Sequence, residues 1–183
     1  MHTPSNNNLR GIERVRNYET PYRCTTQVFL SHADLIKLMK QHYYYVQVKM
    51  TASRDGKRRA MLYVLSEMDR YVRQAKDWVS EQKQEMISLE SKEFEVEMIS
   101  SQGAQLLRIV NKFDVVLTEI AAAQFAGGQS ENIRLNYLRG FSWIFHILYD
   151  LSKKNEPHFH LNGELRDGSI DVFALKRNKD RGN

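Results

Sequence analysis

The stretch MLYVLSEMDRYVRQAKDWVSEQKQEM, residues 61–86, carries the clearest pattern in the chain and decides the class of fold. Apolar side chains recur here in alternating steps of four and three residues, the repeat of a helix that buries one face along its length. The seam positions are Met61, Leu65, Met68, Val72, Ala75, Val79, Gln82 and Met86. The pattern predicts a helix of about 30 residues, some 45 Å long. It packs against helices of the same chain or, as the second interpretation, against another chain in a coiled coil.

The sequence outside residues 61–86 is also predicted to be mainly helical. No proline lies between Tyr22 and Glu156, and proline is the residue that helix interiors exclude most strongly. Further helices are predicted at residues 31–50, 102–125 and 130–154, each with apolar side chains at helical spacing. The expected fold is therefore mostly α.

A short strand is predicted at residues 22–30, YRCTTQVFL, because β-branched and aromatic side chains predominate there. Ser31 is predicted to cap the helix that follows, with Asp34 at the carboxylate position of a capping box. Residues 43–49 also alternate, so a second strand in place of the helix stays open there. A C-terminal β-hairpin is predicted around Asp167–Gly168, a dipeptide that favours hairpin turns.

Length and composition describe an ordinary globular protein. The chain has 183 residues, of which 42% are hydrophobic and 27% charged, as in folded soluble domains. Cys24 is the single cysteine, so no internal disulfide can form and a reducing compartment is expected. The longest apolar stretch, residues 140–151, is too short to span a bilayer, and no signal peptide opens the chain. We expect a cytoplasmic protein without membrane contact.

Charge is distributed unevenly along the chain. The net charge is +5, but residues 1–60 hold 11 Lys and Arg against 4 Asp and Glu, while residues 61–130 hold 7 against 11. A basic first third beside an acidic middle indicates a positive surface, for which polyanions are the natural partners. The alternative is a solvated surface with no partner.

The strand at 22–30 needs a ladder partner, because an isolated strand leaves its backbone groups unpaired. A second copy of the chain supplies one if the two strands pair antiparallel about a two-fold axis. Arg23, Thr25 and Gln27 then lie on the exposed face of a two-stranded ribbon, which fits the DNA major groove. These side-chain types pair with guanine, with thymine methyl groups and with adenine, so the three residues are predicted to read bases. The alternative is an edge strand of an α+β domain with a solvated polar face.

Basic residues on both sides of this strand are predicted to hold DNA phosphates, contacts that position a protein on the duplex without reading its sequence. The arm supplies Arg10, Arg14 and Arg16. The start of the long helix supplies Ser53, Arg54, Lys57, Arg58 and Arg59, beside free backbone N–H groups. An ordinary solvated helix start is the alternative for this second group.

The order of arm, strand, capped helix and long helix resembles the ribbon-helix-helix fold of DNA-binding proteins, with the alternating face R-x-T-x-Q at 23–27. The whole chain also resembles the AcaB-like transcriptional activators of large conjugative plasmids and related integrative elements. That likeness is carried by TTQVFLSHADLIKLMK at 25–40, by the central helices, and by NKFDVVLTEIAAAQFAGGQSENIRLNYLRGFSWIFHILYDLSKK at 111–154. It implies a dimeric or tetrameric DNA-binding activator of conjugation genes.

These observations divide the chain into four predicted regions. They are a basic flexible arm at 1–21, a ribbon-helix-helix-like DNA-binding and dimerisation region at 22–88, a helical body at 89–156 and a hairpin-like basic tail at 157–183. The helical body is expected to support oligomerisation or to contact the transcription machinery, with RNA polymerase as the candidate partner.

The expected function is a sequence-specific transcriptional regulator that binds double-stranded DNA as a homodimer and is not an enzyme. Gly127–Gly128 is interpreted as a helix stop, because no phosphate-loop sequence follows it. His158 and His160 lie at strand spacing without a second ligand pair, so neither a metal nor a cofactor is expected. The alternative is a helical adaptor that oligomerises through the 61–86 seam without contacting DNA.

Overall fold

The structure is a computed structural model that describes residues 12–20, 22–83, 85–127 and 131–172. The elements are α1 (Ile12–Arg16), β1 (Cys24–Leu30), α2 (Ala33–Ala52), α3 (Asp55–Ser80), β2 (Lys92–Met98), α4 (Ser101–Phe125) and α5 (Glu131–Lys153), followed by a 3-10 turn at Glu156–His158. The mostly α class is therefore confirmed. In the part of the chain that the structure describes, no helix is long and apolar enough to cross a membrane.

Helix α3 buries its seam inside the chain. The seam positions from Met61 to Val79 are all buried, and α3 packs against α4 and α5. The helix ends at Ser80, so Gln82 lies beyond it and Met86 is fully exposed. The interpretation as a helix of an intramolecular bundle is confirmed, and the coiled-coil alternative is wrong for this seam.

Strand β1 finds its ladder partner within the chain. It pairs antiparallel with β2, with Thr25 opposite Glu97 and Gln27 opposite Glu95. The sequence of β2, KEFEVEM, alternates glutamate with apolar side chains, as a strand with one face on the core requires. The partner of β1 is therefore neither residues 43–49 nor, at this edge, a second copy of the strand. The ribbon-helix-helix assignment is not confirmed, because the observed two-stranded sheet is intramolecular.

Helix α2 begins without the side-chain cap that was predicted at Ser31. Its N-cap is His32, and the backbone N–H groups of Ser31 and His32 donate to the carboxylate of Asp114 on α4 at 3.0–3.1 Å. The Nδ1 atom of His32 lies 3.0 Å from the same carboxylate. Asp114 thus satisfies N–H groups that have no partner inside the helix, in place of the predicted capping box.

Helix α2 includes residues 43–49, so a second strand there is wrong. One flank of α2 holds the outer edge of β2. The Tyr44 hydroxyl accepts a hydrogen bond from the N–H of Glu97 (3.1 Å), and the Gln47 amide donates to the Glu97 carbonyl (3.0 Å) and accepts from the N–H of Ile99 (2.9 Å). These bonds occupy backbone groups that would otherwise recruit another strand.

The other flank of α2 faces α5. The ring centroid of Tyr149 lies 4.1 Å from that of His42 and 5.7 Å from that of Tyr45. Near the start of α2, Asp34 shares a cavity wall with Leu138 of α5. The two helices therefore run parallel, and α2 separates the sheet from α5.

Beyond α5 the chain folds back over the start of α3. Phe159 and Leu165 form an isolated antiparallel bridge. A Cβ atom on Gly56 would lie 1.8 Å from the carbonyl oxygen of His160, so glycine is what allows this close approach. The predicted hairpin around Asp167–Gly168 is not supported through residue 172, and the rest of the tail lies outside the described residues.

A single hydrophobic core includes residues from both sides of the predicted division between 88 and 89. Val28 of β1 and Phe94 of β2 belong to it. Phe113 of α4 and Phe141 of α5 stack within it with ring centroids 4.2 Å apart. The sheet and the helices are therefore parts of one packed unit.

Candidate nucleic-acid interface

The guanidinium of Arg23 is bound to other groups of the same chain. It forms an ion pair with Glu97, and its Nη2 atom donates to the carbonyls of Val15 (3.2 Å), Arg16 (3.2 Å) and Tyr18 (3.3 Å). The Glu97 side chain is nearly buried, with 8% of its surface exposed. Arg23 thus ties α1 and the turn after it to β2, and its predicted base-reading role does not agree with these contacts.

Thr25 and Gln27 are both exposed on the outer face of the sheet. Their cross-strand neighbours on that face are Glu97 and Glu95, respectively. The exposed carboxylate of Glu95, opposite Gln27, repels the phosphates that border a DNA groove. Strand β1 takes its observed ladder partner from β2 of the same chain, and the base-reading role of Thr25 and Gln27 stays a prediction.

The predicted arginines of the arm are only partly within the described residues. Arg10 lies outside them, and so does the side chain of Arg14. Arg16 is exposed, and its Nε atom lies 3.8 Å from the Glu97 carboxylate. The one arm arginine whose side chain is described therefore contributes to the same ion-pair cluster as Arg23.

Two of the residues predicted to bind phosphate at the start of α3 are buried. Ser53 donates its hydroxyl to the Met50 carbonyl at 2.9 Å. Lys57, only 5% exposed, donates its ammonium to the carbonyls of Ser152 (3.1 Å) and Lys154 at the end of α5. Burial lowers the pKa of Lys57. Both side chains have structural roles, and neither agrees with the predicted phosphate contact.

Arg54, Arg58 and Arg59 are exposed at the start of α3, and we refer to these three residues as the basic end. Within the described part of the chain, the guanidinium groups of Arg58 and Arg59 form no ion pair. The backbone N–H of Arg54 donates to the Glu156 carboxylate at 3.1 Å. A carboxylate of the chain itself thus occupies the anion position predicted at this helix N-terminus. The phosphate-binding role stays a prediction for the three side chains.

A second basic surface, which the sequence reasoning missed, lies between α2 and α5. We define this basic groove by Lys37, His42 and Lys49 of α2 and by Arg139, His146 and Lys153 of α5. The part lined by Lys37, Arg139 and His146, which we call the upper part, encloses a cavity of about 450 Å³. The lower part lies toward Lys49 and Lys153. The signal was present in the sequence as basic and polar residues at steps of three and four along both helices, but it was obscured by the apolar pattern on the opposite faces.

Tyrosines form the floor of the lower groove. The Nζ atoms of Lys49 and Lys153 lie over the rings of Tyr45 and Tyr149, at 5.6 Å and 4.4 Å from the centroids. These are cation–π distances. The positive charges are therefore held at the mouth of the groove, above rings that are half-buried.

The two histidines of the groove lie together, with ring centroids 5.8 Å apart. Burial lowers the pKa of His42, and the neighbouring His146 and Lys153 lower it further, whereas Asp150 opposes them. These influences favour the neutral form of His42, whereas an anion in the groove or a lower pH favours its protonated form.

No family model matches this chain, and none of the curated proteins matches its sequence. A solved structure does match: the crystal structure of selenomethionine-containing AcaB from uropathogenic E. coli. The TM-score is 0.59 at 11% identity, and the match covers 74% of this chain and 81% of that chain. This chain is similar in fold to AcaB. At that identity the likeness shows the fold alone, so the resemblance to AcaB-like proteins has support at the level of fold.

Proposed function

We propose that this protein is a non-enzymatic transcriptional regulator that binds duplex DNA through the basic end. The observation that carries the proposal is the presence of three exposed arginines at the start of α3, two of them without an ion pair among the described residues. Such side chains neutralise backbone phosphates. The fold shared with AcaB and the AcaB-like features of the sequence support a regulator. Activation of conjugative-transfer genes is what that resemblance implies, and contact of the helical body with RNA polymerase is a further part of the proposal.

The adaptor alternative loses the surface on which it depended. It required the seam at 61–86 to contact another chain, whereas the seam residues from Met61 to Val79 are buried against this chain's own helices. DNA binding therefore has the better support.

The outer edge of β1 supports a homodimer. Glu97 directs its N–H and C=O toward α2, so its cross-strand partner Thr25 directs its own away from β2. Because backbone groups alternate in direction along a strand, the N–H and C=O groups of Gln27 and Phe29 also point away from β2. If two copies of β1 pair antiparallel about a two-fold axis at Gln27, these N–H and C=O groups can hydrogen-bond between the copies. Thr25 then lies opposite Phe29 of the other copy. Strand β1, CTTQVFL, has none of the charged residues that usually protect an exposed edge.

DNA binding is tested by measuring the affinity for a random-sequence duplex as a function of salt. Wild type is expected to give a steep negative slope, and the double variant Arg58→Gln/Arg59→Gln to lose about 0.9 of slope per phosphate contact removed. Arg73→Gln/Arg108→Gln, with the same charge change on exposed positions elsewhere, is the matched control. Absence of salt-dependent binding by wild type, or equal losses in both double variants, would overturn the proposal.

The dimer is tested by sedimentation of Gln27→Pro. Proline removes the outward N–H of this position while leaving the ladder to β2 intact. Wild type and the control Gln27→Thr are expected to be dimers and Gln27→Pro a monomer. Gln27→Lys, which places like charges opposite each other across the axis, is the second test should proline disturb folding. A monomeric wild type, or dimers of all variants, would contradict this interface.

A further inference from the structure

The basic groove carries its cations on both walls. Lys37 and Arg139 are exposed on opposite sides of its upper part. Neither takes part in an ion pair within the described residues. Asp34 is the one carboxylate among the described residues that line the upper part, and in the lower part Asp150 pairs with Lys153. Cations therefore exceed carboxylates, which favours an anionic occupant over an apolar or a basic one.

The groove has the length of a DNA backbone contact. Lys37 and Lys49 are separated by 12 positions on α2, or about 18 Å at 1.5 Å per residue. Phosphates of one strand recur about every 3.4 Å along the axis of a duplex. Because the strand also winds around the duplex axis, a straight groove of this length can follow only a few successive phosphates of one strand.

The tyrosines of the groove disfavour binding through bases. Stacking of a base needs an open aromatic face, but Lys49 and Lys153 lie over the rings of Tyr45 and Tyr149. These two rings also meet edge to face, with centroids 5.7 Å apart. The groove presents ammonium groups in place of ring faces, so phosphates fit it better than unstacked bases do.

We propose that the groove between α2 and α5 seats the sugar-phosphate backbone of one strand of duplex DNA. This inference rests on the proposed function and adds to it a second contact surface. Lys37 and Arg139 hold phosphates from opposite walls, and Lys49 and Lys153 continue the contact toward the end of α5. Lys57 at the start of α3 donates to the carbonyls of Ser152 and Lys154, so the end of α5 lies against the start of α3. The groove therefore opens toward the basic end, and one strand contacts both surfaces.

The test compares three double variants that each remove two positive charges. Lys37→Gln/Arg139→Gln changes the groove, Arg58→Gln/Arg59→Gln changes the basic end, and Lys83→Gln/Lys92→Gln changes exposed lysines outside both surfaces. Their affinities for a 20-base-pair duplex and for a 20-nucleotide single strand are measured between roughly 50 and 200 mM salt. The groove variant is expected to lose more than tenfold in duplex affinity and to reduce the salt slope by nearly two. The lysine control is expected to change little.

The possible outcomes separate this inference from the proposed function. A groove variant that behaves like the lysine control, while the basic-end variant loses affinity, would overturn the groove and leave the proposed function standing. A wild type that binds the single strand tenfold more tightly than the duplex would overturn the assignment to a duplex backbone. Absence of binding to either probe would overturn both. Equal thermal midpoints of all variants confirm that the exposed substitutions leave the fold unchanged.

Discussion

The two flanks of α2 have opposite charge. On one flank lies the sheet, whose outer face carries Glu93 and Glu95, both exposed. On the other lies the basic groove. The sequence placed the DNA contact on the sheet flank because Arg23 is there, but a nearly buried carboxylate neutralises that arginine. The charge of Arg23 is already balanced within the chain, so its presence in the strand does not by itself indicate a DNA contact.

Of the variants that compare the two flanks, Glu97→Ala is expected to have the largest effect, which is on the free energy of unfolding. Glu97 accepts the Arg23 ion pair, and Arg16 is its second cation. Loss of a charged hydrogen-bond partner at a nearly buried site is expected to lower the free energy of unfolding by about 2 kcal/mol. Urea denaturation measures it. Glu95→Ala, on the same face but exposed, is the matched control and is expected to change stability by less than about 0.5 kcal/mol. Equal effects would mean that the ion-pair cluster does not hold α1 to the sheet.

Arg23→Ala and Arg58→Ala are expected to separate stability from binding. Arg23→Ala breaks the contact to Glu97 and three carbonyl contacts, so it is expected to cost about 1–2 kcal/mol of stability and to leave duplex affinity unchanged. Arg58→Ala is expected to leave stability within about 0.5 kcal/mol and to lower the affinity for all duplexes, with a salt slope flatter by about one unit. Urea midpoints and anisotropy titrations of the same samples measure both. If Arg23→Ala instead relaxed sequence preference without loss of stability, the strand would regain its predicted reading role.

The sequence predicted the long helices because their apolar positions repeat over many turns, and it predicted β1 from local composition. It did not predict the partner of β1, because KEFEVEM is a short acidic segment far away in the chain. The burial of Lys57 could have been predicted from the sequence. Lys57 lies four residues before Met61, so extending the seam backwards by one turn places it on the buried face. The contact of Arg23 with Glu97 is tertiary, and nothing in the local pattern at residue 23 indicates it.

On the groove flank, a smaller effect is expected in the pH dependence of the unfolding free energy. Burial lowers the pKa of His42 in the folded state, so the unfolded chain, with a histidine pKa of about 6.5, binds a proton more readily. His42 therefore does not reduce the free energy of unfolding above about pH 6.5, where it is neutral in both states. As the pH is lowered from there toward the folded-state pKa, the unfolded chain binds the proton first and the free energy of unfolding falls. His42→Gln is expected to flatten this decline, while the exposed His158→Gln leaves it unchanged. Urea midpoints at several pH values measure it, and equal slopes in all three proteins would contradict the burial of His42.

The smallest effect is expected from removing charge on the sheet flank. Glu93→Gln/Glu95→Gln raises the net charge by two, but α2 separates these positions from the basic groove. A helix with its side chains is about 10 Å across, which is about one Debye length at 0.1 M salt. Duplex affinity at that salt is therefore expected to rise less than about twofold.

Asp150→Asn is the matched change on the groove flank. It raises the net charge by only one, but it releases Lys153 from its ion pair, so a larger gain in duplex affinity is expected than from the sheet variant. Lowering the salt to about 0.01 M, where the Debye length is about 30 Å, should narrow the difference because mobile ions then screen little over the width of α2. A larger gain from the sheet variant at 0.1 M would place the DNA on the sheet flank and reverse the comparison of the two sides of α2.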